Sequence, residues 1–184
     1  MKTIREENIK KLKENHVYHE NMEHDACGVG LVVSTEGKKS RKVVEAGIEA
    51  LKAVWHRGAI DADGKTGDGA GIHLEIPSDF FVEKIEVTGH THDNSELCVG
   101  MIFLPRNDYG AQEACRTIVE SELTKNNFNI YGWRQVPVNP SVLGEKAEQT
   151  RPEITQILFK HNNKKLKDKE LNRSLYETRR IIEK

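Results

Sequence analysis

Apolar positions along the chain recur with two rhythms, one of about 3.6 residues and one of two, and their alternation lays out the elements. The glycine-punctuated run Gly28-Val29-Gly30-Leu31-Val32-Val33 predicts a buried strand ending at Ser34. Ser40 then predicts a helix cap, because Val43, Val44, Ile48, Leu51, Val54 and Trp55 follow at helical spacing. Residues from His56 to Gly69 read as a loop. Ala70 to Ile76 predicts a strand ended by Pro77, and Ser78 opens a short helix that turns Phe80 and Phe81 inward. The run from Leu97 to Leu104, stopped by Pro105, predicts a strand. Asp108 predicts the cap of a helix reaching about Thr124, with Ala111, Ala114, Cys115, Ile118, Val119 and Leu123 as one inward stripe. Two more strands are predicted from Asn129 to Val136 and from Ile154 to Phe159, and a partly exposed helix follows from Lys167 to Lys184. Strands and helices come in mixed order without a dinucleotide fingerprint, so an α+β layered fold is expected.

The first 26 residues differ in kind. Thr3 and Glu6 have capping-box spacing, but Ile4, Ile9 and Leu12 give a helix up to Asn15 little apolar face, so residues 1–26 are expected to be a weakly structured leader. Glu6, Glu7, Glu14 and Glu20 are foreign to a transit peptide, and no apolar core of a secretory signal is present.

Composition narrows the function classes. At 184 residues the chain fits one domain with a real core, and a formal net charge of −1 demands neither nucleic acid nor a membrane surface as partner. The apolar run around Leu97 is strand-sized, far short of the roughly 18 residues of a membrane span. Cys27, Cys98 and Cys115 have no paired spacing, which argues against a disulfide framework and a zinc site and for a reduced, cytoplasmic protein.

Cys27 carries the candidate chemistry. A thiol at the mouth of a strand behind a polar leader is what an N-terminal nucleophile looks like before processing. Cleavage after Ala26 would free an α-amine with a pKa of about 7.7–8, able to take the thiol proton near neutral pH. The competing reading is a buried, inert cysteine at a strand start. Gly28 and Gly30 suit both readings, since a missing side chain lets a substrate or a second backbone come close. Arg57 reads by itself as a solvated or capping arginine. Asp68, within Gly67-Asp68-Gly69-Ala70-Gly71, does not read as a phosphate cradle but as a tight turn whose carboxylate bonds local amides. His90 and His92, with Asp93 beside them, have no further ligand spaced along the chain and read as a solvated loop, so no metal is expected. Cys98 and Cys115 read as core. Gly132-Trp133-Arg134, without a basic field around it, reads as packing beneath a sheet and not as a nucleic-acid contact.

The segments His24 to Val33, Trp55-His56-Arg57-Gly58-Ala59 and Asp63 to Ile72 occur in order. They are joined by Gly132-Trp133-Arg134-Gln135-Val136-Pro137-Val138, Leu143-Gly144, Pro152-Glu153-Ile154-Thr155-Gln156 and Tyr176-Glu177-Thr178-Arg179-Arg180. Together they resemble the class II glutamine amidotransferase domain that opens the glutamate synthase large subunit, in the N-terminal-nucleophile (Ntn) hydrolase superfamily. The resemblance implies a four-layer αββα sandwich with two antiparallel sheets, incomplete here, with residues 27–184 as the N-terminal part of the amidotransferase domain. It implies that Cys27 attacks the glutamine side-chain amide, releasing ammonia through a glutamyl thioester for glutamate synthesis from 2-oxoglutarate. Arg57, Gly28 and Asp68 would support the site and the approach of glutamine, while His56 receives no role. No cofactor is expected in this segment; FMN, an iron–sulfur cluster and NADPH or ferredoxin would belong to the remainder, and the partners would be glutamine, the other synthase domains and a small subunit.

The sequence also departs from that pattern. The family's oxyanion hole uses an Asn-Gly pair, and no such dipeptide occurs in these 184 residues, so the chain is expected to be a truncated piece. Losing one preorganised oxyanion donor costs roughly 3–4 kcal/mol of barrier, so the segment alone is expected to turn over little glutamine. The alternatives are another class II amidotransferase, in which the cysteine usually follows the initiator methionine closely, and a non-catalytic Ntn-fold regulatory or binding module.

Overall fold

Leu97–Leu104 (β1), Phe128–Gln135 (β2) and Glu153–His161 (β3) form one antiparallel sheet in the order β1-β3-β2. The computed structural model describes residues 7, 10, 11, 13–15, 28–54, 60–67, 69–93 and 95–184. These fall into two compact units, Met1–Ala59 with Gly67–Ile72, and Ile60–Thr66 with His73–Lys184.

The second unit holds the sheet. β3 is central, paired from Leu97↔Lys160 to Leu104↔Glu153 on one side and from Phe128↔His161 to Gln135↔Thr155 on the other. A strand whose sheet is covered by helices on both faces must be apolar on both. Ile157 and Phe159 accordingly face one core with Cys98 and Phe128, against Val119 and Leu123 of α3 (Tyr109–Lys125) and Leu171 of α5 (Asp168–Ile182). Leu158 faces the other core with Leu97 and Tyr131, against Phe81 and Ile85 of α2 (Ser78–Val87). The sheet is thus sandwiched between α2 on one side and α3 with α5 on the other.

A bulge between Ile130 and Gly132 resets the alternation of β2, and Gly132 supplies the φ of 149° that the kink needs. Tyr131 therefore sits on the α2 side. Trp133 returns to the α3 side, where its Nε1 donates to Glu120 Oε1 at 2.6 Å and Arg116 stacks on its ring. Arg134 turns back to the α2 side, over the Phe80 ring and bonded to Gln156 Oε1 at 2.6 Å.

Helix signals held where caps were written locally. Asp108 accepts from Ala111 N at 2.9 Å, and Glu170 accepts from Lys167 N at 3.2 Å. The inward stripe of α3 differs from the expectation: Gln112 is buried with Val119 and Leu123, Cys115 is only half-buried, and Ile118 is 50 % exposed. Burying Gln112 is tolerated because its Nε2 donates to Pro105 O at 2.7 Å and Arg106 O at 3.2 Å. Phe80 likewise departs from expectation. It is 40 % exposed, edge-on to the buried Phe81, because consecutive helical residues point about 100° apart and only one can face the sheet.

In the first unit, Ser40 Oγ accepts from Lys42 N at 3.2 Å and opens α1 (Arg41–Ala53). Its half-buried stripe runs through Val43, Val44, Gly47, Ile48 and Leu51. A Cβ on Gly47 would stand 3.3 Å from Ile72 Cδ1, so glycine lets that side chain close on the helix. Trp55, at the expected end of this helix, lies outside the described residues. Of the leader, the described residues at 7, 10, 11 and 13–15 are helical and exposed.

Two expected strands are absent among the described residues. Gly28 to Ser34 and Ala70 to Ile76 carry no ladder, and Val29 is 94 % and Leu31 87 % exposed. Apolar period supplies the propensity for a strand, but a strand needs a neighbour to take its N–H and C=O groups. The described residues consequently form one sheet, where the resemblance led us to expect two.

Candidate functional site

Of the four residues singled out by sequence, Cys27, Arg57 and Asp68 lie outside the described residues. Gly28 is described, as an exposed residue outside any helix or strand. What the structure does place is the turn Ile60 to Thr66, which follows the second motif and takes in the start of the third.

This turn is closed by its own backbone, Asp61 N donating to Thr66 O at 2.8 Å and Gly64 N to Asp61 O at 2.9 Å. The Asp63 carboxylate fills its centre. It accepts from Thr66 Oγ1 at 2.5 Å, Thr66 N at 2.7 Å and Lys65 N at 2.9 Å. The Thr66 hydroxyl and then the two amides hold Asp63 well below the usual carboxylate range, since each donor favours the charged form. Asp63 thus caps local amides, the kind of role expected of Asp68, which lies outside the described residues.

Outside the turn stands α4 (Glu145–Thr150), whose N-cap is Gly144. Lys146 Nζ lies 2.7 Å from both carboxylate oxygens of Asp61. Gly144 is buried, and a Cβ there would come under 3.0 Å from Thr66 Oγ1, Asp63 Oδ2 and Thr66 N. Its φ of −76° is open to any residue, so the glycine is required by the approach of the turn and not by backbone twist. None of Asp61, Asp63, Gly144 and Lys146 was assigned a role from sequence. The available signals were the Asp-x-Asp-Gly turn chemistry and the Leu143-Gly144 pair, matched but unexplained.

The remaining chemistry-bearing groups are accounted for structurally. Cys98 is 5 % exposed, and burial, with a smaller contribution from Glu96, pushes its thiol up to about 12, so it is no nucleophile at neutral pH. Asp93 accepts from Lys160 Nζ at 2.6 Å, Ser95 Oγ at 2.5 Å and Lys164 Nζ at 2.7 Å, while His92 Nδ1 lies 3.3 Å from Tyr131 Oη. The expected solvated loop is therefore tied to the sheet. Among the described residues no group of three or more His, Cys, Asp or Glu could hold a metal ion. An open groove of about 410 Å³ is lined by Phe103, Pro105, Arg106 and Arg151 among others, and both arginines are held by Glu148.

The sequence profile of the family described as "Glutamine amidotransferases class-II" matches residues 27–184. The chain is 56 % identical over 169 residues to the "Glutamate synthase [NADPH] large chain" of Azospirillum brasilense, covering 92 % of this chain and 11 % of that protein. It is 38 % identical over 176 residues to "Ferredoxin-dependent glutamate synthase 2, chloroplastic" of Arabidopsis thaliana, covering 94 % and 11 %. With a Synechocystis ferredoxin-dependent relative it shares 39 % over 163 residues, covering 88 % and 10 %. The chain spans about a tenth of the length of these curated relatives.

Proposed function

We propose, from the premise that this chain belongs to the class II glutamine amidotransferases, that it supplies the glutamine-hydrolysing nucleophile of a glutamate synthase, with Cys27 as that nucleophile. The observation that carries this reading is the position of the family match, which opens at residue 27. A mature chain beginning there would place a thiol and a free amine on one residue.

The reaction then runs as follows. The α-amine of Cys27 takes the thiol proton, and the sulfur attacks the side-chain carbonyl carbon of glutamine. The tetrahedral oxyanion collapses as the carbon–nitrogen bond breaks, and the α-ammonium returns the proton to the leaving ammonia. Water, deprotonated by the same amine, cleaves the thioester to glutamate. Arg57 would favour the thiolate and guide glutamine, and Gly28 and Asp68 would leave room for and shape the approach. The inert state of Cys98 supports assigning the chemistry to Cys27.

Within the complete domain, the one described sheet would be one of the two sheets of an αββα sandwich. The exposed apolar runs Gly28 to Ser34 and Ala70 to Ile76 would supply strands to the other. Residues 1–26 would be the leader removed in maturation. Ammonia would pass to domains outside this chain, where flavin, iron–sulfur and NADPH or ferredoxin chemistry would reduce the adduct of 2-oxoglutarate. The described residues hold no donor set for a metal cluster, and no step here is routed through one. Among them, no helix is long and apolar enough to cross a membrane. The sparse cysteines without paired spacing support a cytoplasmic location.

Mass spectrometry of the N-terminus of the natively expressed full-length protein tests the reading. Cys27 as the first residue, with an unblocked amine, is expected. Met1 retained in a protein that hydrolyses glutamine would overturn the self-contained nucleophile, and Met1 retained in an inactive protein would assign the domain to a binding or regulatory role.

A further inference from the structure

The sheet of the second unit has two edges, β1 and β2, and they are unlike. Proteins blunt an exposed sheet edge with a bulge, a charge or a proline. β2 carries the bulge between Ile130 and Gly132 and the charged Arg134. β1 carries none of these. Its 8 residues, Leu97 to Leu104, hold no charge and no proline, and its register on β3 is unbroken. Among the described residues no strand pairs with its outer side, to which alternate residues present their N–H and C=O groups.

The order of the elements fixes the direction from which a partner reaches that edge. β1 and β2 both run antiparallel to β3 and hence parallel to each other, so β1–α3–β2 is a crossover that passes over β3. Such crossovers are right-handed almost without exception. α5 lies on the same face as α3, with Leu171 in one cluster with Val119, Leu123, Ile157 and Phe159. β3, however, runs opposite to β1. A right-handed crossover that leaves β3 through α5 therefore steps the other way, over β1, and lands on the free edge of β1. α5 also keeps apolar surface for such a strand, since Leu175 and Ile182 are only partly buried against the cluster. With 15 residues, about 22 Å, the helix spans most of the length of β1.

We propose that the outer edge of β1 is the docking site of a strand that follows α5 in the full-length protein, paired antiparallel to β1 as a further strand of the described sheet. The relatives have the chain to supply it, since these 184 residues span about a tenth of their length. A strand of about 5–6 residues covers most of the edge. Its side chains toward α5 are apolar and meet Leu175, Ile182 and the partly buried Ile102, while those on the opposite face extend the exposed shelf of Met101 and Phe103. A second copy paired through the same edge is the competing occupant. The chain's own strand is favoured because the crossover delivers it to the edge at high effective concentration.

The test uses the full-length protein. Amide exchange at residue resolution is expected to show every β1 amide slow, with no alternation of slow and fast along Leu97 to Leu104. Met101→Cys and Phe103→Cys, at exposed positions on one face, are then each combined with single cysteines at successive positions after Lys184 and oxidised. Directly opposed residues of an antiparallel pair stand at disulfide distance, so each is expected to form an intrachain bridge to one short stretch. Antiparallel pairing places the partner of position 101 about two residues beyond the partner of position 103. Fast exchange at alternate β1 amides overturns the proposal. So do bridges in the reverse order, bridges only between two copies, and a protected β1 that bridges to no position after α5. None of these readouts depends on glutamine hydrolysis, so failure of the function proposed above is distinguishable from failure of this pairing.

Discussion

Asp93 shows how much one half-buried carboxylate organises. Lys160, Lys164 and Ser95 all donate to it, and this depresses its pKa, Lys160 contributing most. Lys160, only 16 % exposed, also sits over the Tyr131 ring, so the pair ties the loop after α2 to the middle strand of the sheet. The sign of the pH effect follows. In the unfolded chain an aspartate takes up its proton near pH 3.9, whereas folded Asp93 resists protonation to lower pH. Between those values the unfolded state binds more protons, so the stabilisation is complete above about pH 4–5 and declines as the pH falls further. Asp93→Asn is expected to lower the urea midpoint of the domain at neutral pH and to flatten its decline toward pH 3. An equally steep acid decline in the variant would show that Asp93 is not the group responsible. None of this was legible in sequence, where His90, His92 and Asp93 suggested a solvated loop, because the partners at 160 and 164 are brought in by strand pairing alone.

Among the elements, β3 carries the packing, and its neighbours have adapted to it. Gly100 pairs with Ile157, and a Cβ at Gly100 would stand 2.8 Å from Ile157 Cγ2. Gly100→Ala is therefore expected to cost about 1–3 kcal/mol by overpacking, despite alanine's better strand propensity. Ile157→Ala, at a side chain 1 % exposed, is expected to cost about 2–5 kcal/mol. Urea unfolding checks both, and a Gly100→Ala protein as stable as its parent would contradict the close approach. The strands β1 and β3 and the caps Ser40 and Asp108 could be read from sequence because their signals are local: apolar runs bounded by a proline, Pro105 after β1 and Pro152 before β3, and short side chains able to accept from the first turn. The bulge at Gly132 and the burial of Gln112 could not, since each is set by contact with another element. Gly28 to Ser34 and Ala70 to Ile76 have the apolar content for strands, and pairing, which composition does not supply, decides the outcome.

At the scale of the whole molecule, the family was legible because three motifs carry it in order, and the match spanning residues 27–184 agrees with that reading. Of the candidate site, Cys27, Arg57 and Asp68 stand on residue type and motif, outside the described residues, whereas Asp61, Gly144 and Lys146 are ordinary residues that long-range contact brings together at the Ile60–Thr66 turn, which no local pattern announces. The central claim is that a single residue supplies both sulfur and base, and the most direct measurement is covalent trapping of the processed full-length protein with the glutamine analogue diazo-oxo-norleucine, followed by peptide mapping. The account predicts one adduct, on the sulfur of an N-terminal Cys27 with its amine free, while buried Cys98 stays unmodified until the protein is denatured. An adduct on any other residue, with Cys27 untouched and activity abolished, would contradict it.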